Sequence, residues 1–462
     1  MIKNIFSRIL IAFHKPYDTS IESNRALERE RRIALTSIVA AFEKIITTAI
    51  PLITVRVTYN YLGCEIYGLW NAVVNFFALF AFSDLGLGYG LQTRLSQASG
   101  KNDLMLCRQL ISSTYFVLCV VASFLFIVFF FLFPFIDWSN VMNANSVEAT
   151  KLVAPIVFVI VFPKLLSIPT AIISRTQLAL QEGYNCSAWA MFGSFLSLLY
   201  ICAVAYFDLG KIILLAGATF IPFLCSVMNM VVYYGWQRKE YRFGLKYVRK
   251  EQATDLLQIG LNFCVLSILT TLGLAMDTFI VARVCSLEDA GVYAILSKVM
   301  YIVSAVLTIL AQPLWGANGE ALSRGDIEWV KGNTKKTSLI MFLITLMISF
   351  VIVLLSRWLF RIWLGRELYF SLYCLIWMCL FQLCTAFISP YFMVLNASGM
   401  VKKQILLFSI FTPLCFVFKI VFGKLFGMTA IPVVGTVLYF FIIVIFVLRI
   451  TKQQLNSFES SN

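Results

Sequence analysis

Histidine is almost absent from this chain: His14 is the single one among 462 residues. With it goes the side chain most often used as general base or metal ligand near neutral pH. The twelve cysteines do not take its place, because no C-x-x-C pair occurs and nearly all lie in apolar runs. Cys374, Cys379 and Cys384 are spaced by five, which spreads them around a helix instead of gathering them on one face. Neither a metal site nor a disulfide framework is expected, and Cys64 and Cys285 read as packed free thiols. Charge is scarce as well, at 13% of residues against roughly 25% in a soluble domain. No D-x-D occurs, and Gly100-Lys101, Gly210-Lys211 and Gly423-Lys424 lack the Ser or Thr that completes a phosphate-binding loop. The chain is therefore read as no enzyme, as needing no cofactor, and as not driven directly by ATP.

Apolar sequence is what the chain has in excess: 60% of residues are hydrophobic. About 20 apolar residues cross a bilayer core, and such segments recur twelve times, at 33–61, 66–91, 109–133, 152–180, 187–207, 212–236, 255–284, 290–316, 338–361, 369–396, 404–423 and 429–449. Basic residues are retained on the cytoplasmic side. With the N-terminus inside, 25 of the 37 Lys and Arg fall in inner segments and nine at outer ends, Arg56, Arg283 and Lys419 among the latter. Only Lys44, Lys164 and Lys298 remain deep within spans. Both termini are thus expected in the cytoplasm, and the net charge of +14 reads as topology and attraction to anionic lipid heads. No nucleic-acid surface is implied. The first 32 residues hold no apolar signal-peptide core, so no cleaved signal is expected.

An internal repeat organises the rest. An offset of 223 superposes Thr47 and Thr48 on Thr270 and Thr271, Glu65 on Glu288, Gly68 on Gly291, Leu91 on Leu314 and Asp103 on Asp326. It also maps the first two spans onto the seventh and eighth. Six spans separate the copies, so the halves share one orientation about an axis along the membrane normal. The expected divisions are a basic cytoplasmic segment, 1–32; an N-lobe of six spans, 33–236; a basic cytoplasmic linker, 237–254; a C-lobe, 255–450; and a cytoplasmic tail, 451–462.

The stretch FSDLGLGYGLQTRLSQASGKND, residues 82–103, sits at the inner end of the second span. Its glycines fall as G-x-G-x-G, not as the G-x-G-x-x-G of a dinucleotide loop, and a span precedes it where a short strand would be needed. Asp84, Gly86, Gly88 and Gly90 read instead as a deformable helix end, and Pro313 and Gly316 loosen the matched place in the second half. All six are candidate hinge or gate positions. SDLGLGYGLQTRLSQASGKND after the second of twelve spans resembles the signature region of the O-antigen flippase (Wzx) and polysaccharide-export branch of the multidrug/oligosaccharidyl-lipid/polysaccharide (MOP) superfamily. The resemblance implies an all-α polytopic membrane protein of about twelve transmembrane helices. Two six-helix lobes related by pseudo-twofold symmetry would enclose a MATE-like, V-shaped cavity with alternating access. It further implies that the cargo is an oligosaccharide repeat unit on undecaprenyl pyrophosphate, flipped across the bacterial inner membrane. Membrane lipids, an H⁺ or Na⁺ gradient, and a polysaccharide polymerase and chain-length regulator would be its partners.

Position within the spans nominates the residues. On the first span Lys44, Thr47, Thr48, Pro51 and Thr58 fall within an arc of about 100°, at roughly 100° per residue, with Glu43 and Arg56 to either side. The second half places Ser267, Thr270, Thr271 and Asp277 at the positions of Lys44, Thr47, Thr48 and Thr54. Lys44, Arg56, Lys164, Arg175 and Lys298 are candidates for a cationic substrate cavity, and Asp277 and Glu43 for ion coupling. Pro155, Pro163 and Pro169 around Lys164 predict a bent fourth helix. Arg357, Arg361 and Arg366 with Trp358 and Trp363 read as an interfacial anchor. Two other functions fit the spans less well. A MATE-like drug or cation antiporter favours an acidic cavity, and a membrane glycan polymerase needs a larger loop or a cluster of acids. Reporter fusions or cysteine labelling should place 237–254 in the cytoplasm; labelling from outside would overturn both the orientation and the lobe assignment.

Overall fold

The computed structural model describes residues 22–78, 86–100, 103–324, 326–398 and 400–461. Among these, every regular element is helical. Eight described helices are long and apolar enough to cross a membrane, nine if the pair Cys264–Leu274 and Asp277–Val284, bent by 43°, is one span. The chain is therefore a multi-pass α-helical membrane protein. The backbone makes its own hydrogen bonds inside each helix, which is what an environment without water requires.

Compactness divides the chain into two units. The first takes in Met1–Thr54, Phe80–Ile136 and Val157–Cys264, as far as these are described. Here α1 (Glu22–Leu62) enters, α2 (Cys64–Phe76) belongs to the second unit, and α3 (Leu87–Gly100) leads to α4 (Leu104–Leu132). Asp103 caps α4 by accepting from the Leu106 amide at 2.9 Å. On α4 the sequence separates two faces at helical spacing. Leu110, Ile111, Thr114 and Leu118 are buried, while Val120, Phe124, Ile127 and Phe131 form an exposed apolar stripe suited to lipid. After α5 (Trp138–Met142) come α6 (Val147–Ser167), a short turn at Pro169–Ala171 and α7 (Ile172–Ala179), so the fourth span does break at its prolines. Phenylalanines join α4 to α6 and onward: Phe126 meets Phe162 at 5.7 Å, and Phe162 meets Phe220 at 5.9 Å.

Next come α8 (Gly183–Tyr206), α9 (Lys211–Val232) and α10 (Lys250–Leu274), and where α7, the start of α8 and the end of α9 meet, the first unit carries a polar edge. Buried Gln177 and Asn229 exchange hydrogen bonds at 2.8 and 3.3 Å. Glu182 accepts from Tyr233 Oη at 2.7 Å and from the Arg238 guanidinium. Burial alone would lower the Arg238 pKa, but the Glu182 hydrogen bonds and charge outweigh it and hold Arg238 above the ordinary range. The basic linker is bound against this edge as a strap. Arg108 donates to the Glu240 carbonyl at 2.6 Å and to Tyr247 Oη at 3.2 Å. Ser113 Oγ accepts from the Arg249 amide and donates to its carbonyl, while Phe243 lies between Tyr115 and Tyr234. Hydrogen bonds from Lys246 and Arg108 favour the phenolate and lower the Tyr247 pKa.

The second unit comprises Val55–Leu79, Asp137–Ile156 and Val265–Asn462. Its helices are α11 (Asp277–Val284), α12 (Leu287–Arg324), α13 (Ile327–Leu364), α14 (Leu372–Ala397), α15 (Val401–Phe426), α16 (Ala430–Leu438) and, after a π-helical turn at Tyr439–Val444, α17 (Ile445–Ser461). Its core gathers Ile388, Phe408, Phe411, Cys415, Tyr439 and Ile443 from α14 to α17.

Helices α2 and α12 pack in this unit through the repeat itself. A Cβ on Gly68 would lie 1.8 Å from the Leu287 carbonyl oxygen, and a Cβ on Gly291 would lie 2.3 Å from that of Cys64. These are one contact seen from two sides, since the offset of 223 carries Gly68 to Gly291 and Cys64 to Leu287. A two-fold relation has this signature, each residue meeting its partner's equivalent. Cys64 and Cys285 are both free. Gly68→Val or Gly291→Val should lower thermal stability in detergent by at least about 1–3 kcal/mol, the usual cost of overpacking. Gly332→Ala, whose Cβ would meet nothing within 4 Å, should hold or raise it, since Ala favours the helix. Equal melting curves for all three would overturn the close-packed seam.

Candidate functional site

Among the sequence candidates, Asp277 lies in the most developed site. Helix α10 ends at Leu274 and α11 begins at Asp277, so the seventh span is interrupted and the carbonyls before the break lose their helical partners. Lys419, on α15, donates from Nζ to the freed Gly273 carbonyl at 3.1 Å and forms an ion pair with Asp277. Tyr293 Oη donates to the other carboxylate oxygen at 2.9 Å. The lysine is 3% exposed and the aspartate 23%. Beside them opens a cavity of about 290 Å³ that also touches Asn75, Thr278, Ser297, Tyr301, Ser304 and Gln382. Gln382 Oε1 accepts from Ser304 Oγ at 3.1 Å.

The sequence placed Lys419 at the outer end of the eleventh span, and the structure corrects this: α15 runs on to Phe426 and buries it. The signal was there, since Lys419 lies a full turn inside the apolar segment and Asp277 is an intramembrane acid. Linear sequence gave no way to pair them across 142 positions.

The other candidates are spread over both units. In the first, Lys44 and Glu43 are half-buried on α1, and Glu43 accepts from Ser187 Oγ at 3.3 Å. Arg175 on α7 reaches Gln92 Oε1 at 3.5 Å. Cys186 interacts electrostatically with both Glu43 and Arg175, so these groups share one neighbourhood. Lys164 is half-buried near the end of α6, and among the described residues its ammonium meets no acid. In the second unit, Lys298 on α12 is half-buried and likewise has no acidic partner among the described residues. The repeat puts it at the position of Asn75. Arg56 is exposed, with its guanidinium 3.3 Å from where a Gly365 Cβ would stand. Thr47 and Thr270 turn their hydroxyls back onto carbonyls of their own helices.

Of the gate candidates, Asp84 lies outside the described residues. Gly86 adopts φ +71°, and a Cβ there would lie 2.2 Å from the Gly260 carbonyl oxygen; at Gly90 it would lie 2.8 Å from that of Leu256. Gly88 is buried between them in sequence. The start of α3 is thus in backbone contact with α10, an approach only glycine permits. Arg94 closes the same contact with two 2.7 Å hydrogen bonds to Asp255, a partner the sequence did not suggest. Pro313 and Gly316 lie within unbroken α12.

The family described as "Polysaccharide biosynthesis protein" matches residues 36–315. The chain belongs to this polysaccharide biosynthesis protein family. A Yersinia pseudotuberculosis protein named "Putative O-antigen export protein" is 27% identical over 157 residues, 34% of this chain and 36% of the relative. The match therefore spans about a third of that relative. Among solved structures, an inward-facing multidrug resistance MATE family transporter of the MOP superfamily superposes with TM-score 0.76 at 14% identity, covering 92% of this chain and 99% of the other. A MOP superfamily transporter from Pyrococcus furiosus, described for a reversed binding-pocket polarity suggesting different function, gives 0.66 at 16% identity over 93% and 97%. At such identities the likeness establishes the fold: this family member has the MOP/MATE transporter architecture.

Removing one member of a buried ion pair costs about 3–5 kcal/mol, because the other charge is left without a partner. Lys419→Met should therefore lower membrane abundance and melting temperature sharply, and adding Asp277→Asn should recover most of the loss. A double variant no better than the single one would show that Lys419 does not compensate Asp277.

Proposed function

We propose that the chain is a flippase that moves undecaprenyl-pyrophosphate-linked oligosaccharide repeat units from the inner to the outer leaflet of the bacterial inner membrane by alternating access. The observation that carries this reading is Lys164 and Lys298 together: each is half-buried on a helix of its own unit, and neither meets an acid among the described residues. A cation deep in a span costs about 2.5–3.5 kcal/mol on insertion scales, so it is retained where it meets water or an anion. A pyrophosphate has to leave the headgroup layer while its sugars cross, and such ammonium groups would receive it. Lys44 and Arg175 supply further positive charge in the first unit, and Arg56 lies nearer the outer mouth. The polysaccharide family and the export named for the Yersinia relative support this cargo.

The same architecture serves drug transport in the MATE structures. A cationic drug needs a free acid, however, and Asp277 is already compensated by Lys419. Ion coupling then rests better with Glu43, whose carboxylate faces a neutral hydroxyl, and N-in, C-in topology keeps the strap on the cytoplasmic side. Catalysis has no place in this cycle.

Single Gln variants of Lys44, Lys164, Arg175 and Lys298, matched for membrane abundance, should reduce surface glycan. Each lost charged hydrogen bond, at about 1.5–3 kcal/mol, corresponds to a roughly ten- to hundredfold loss, with Arg restoring at the three lysine positions what Gln removes. Normal glycan in all four would reject the anion path. Glu43→Gln should abolish the gradient dependence of transport in vesicles; unchanged dependence would remove Glu43 from coupling.

A further inference from the structure

The cavity beside Asp277 differs in kind from an anion path. Among the described residues that line it, the charged groups are one carboxylate and one ammonium, joined to each other. The pair's formal charge cancels, so neither a cation nor a diphosphate gains net attraction there. The cavity nevertheless exposes unused hydrogen-bonding capacity. Among the described residues, the side chains of Asn75, Thr278 and Ser297 have no hydrogen-bond partner, although all three line it. Thr278 is only 4% exposed. Unpaired polar groups in such a place cost about 1–3 kcal/mol each unless water or a ligand meets them. Gln382 adds an amide, and Tyr293 and Tyr301 contribute aromatic rings, Tyr301 half-exposed at one side.

Resting on the flippase reading above, we infer that this cavity holds a neutral sugar ring of the repeat unit. A sugar ring carries hydroxyls that both donate and accept around its rim, and C–H bonds on its faces. The rim matches the amides of Asn75 and Gln382 and the compensated carboxylate of Asp277; the faces match tyrosine. The volume, about 290 Å³, lies at the small end of ligand cavities, fitting a ring or two and not a whole repeat unit. The division of labour follows from charge. Lysines without acids take the pyrophosphate, and the self-neutralised cavity takes uncharged sugar, so selectivity for the glycan resides in the second unit. Asp277 and Lys419 have a positioning role here: Lys419 holds the carboxylate as a fixed acceptor that does not attract cations.

The test uses the full-length protein in nanodiscs and saturation-transfer NMR with neutral hexoses, deoxyhexoses and N-acetylhexosamines. At least one class should receive saturation. Asn75→Ala should weaken it about tenfold, and Tyr301→Ala should weaken it likewise, with melting curves establishing that both variants are folded. Inorganic pyrophosphate and NaCl should not compete. The inference is overturned if no sugar class is saturated, if both variants bind as the parent does, or if pyrophosphate or Na⁺ displaces the sugar. A cell assay separates the two proposals. If Asn75→Ala cells export the same glycans with unchanged preference while the lysine variants fail, the sugar site is wrong and the flippase reading stands. If sugar binding behaves as expected while all lysine variants export normally, the anion path is wrong and the sugar site stands.

Discussion

A charged group inside a membrane bundle must be neutralised or hydrated, and the contact between Asp277 and Lys419 meets that requirement at the break of the seventh span. The break leaves the Gly273 carbonyl without a helical donor, and the Lys419 ammonium satisfies both it and the carboxylate. Tyr293 completes the set from α12. Four elements therefore meet at one compensated site, and the cavity beside it inherits its neutrality. The proposed anion path applies the same rule to Lys164 and Lys298, whose ammonium groups meet no acid among the described residues.

Glycine permits close helix contacts in each unit. In the second, Gly68 and Gly291 bring α2 and α12 together through a reciprocal contact that the internal repeat generates. In the first, Gly86 and Gly90 let α3 approach the start of α10, where Arg94 and Asp255 add a charged clasp. Both ion-pair side chains of that clasp are about two-fifths exposed, so water screens it and it contributes little stability. A contact that is close but weakly held suits a surface that separates and rejoins.

The strap at 238–249 illustrates how composition and structure divide the explanation. Its basic residues led to the expectation of a cytoplasmic loop, and the structure shows that the chain is not slack there. Phe243, the Arg249 backbone and the Arg108 contacts bind it beneath α4, so the connection between the repeats is anchored to the first of them.

Membrane class, the multiplicity of spans and the two-fold repeat were all legible in the sequence. Hydropathy and spacing are properties of the chain itself, and a bilayer converts them directly into helices and topology. The signature glycines were also legible as points of close approach, though not what they approach: Gly260 and Leu256 lie some 170 positions away. Tertiary structure alone decided the pairing of Lys419 with Asp277, the clasp of Arg94 with Asp255, and the meeting of Asn75 with Gln382 around one cavity. Each depends on which helix faces which. Many packings bury the same apolar area, so hydropathy cannot choose among them, whereas buried charges and hydrogen bonds are satisfied only in a specific one.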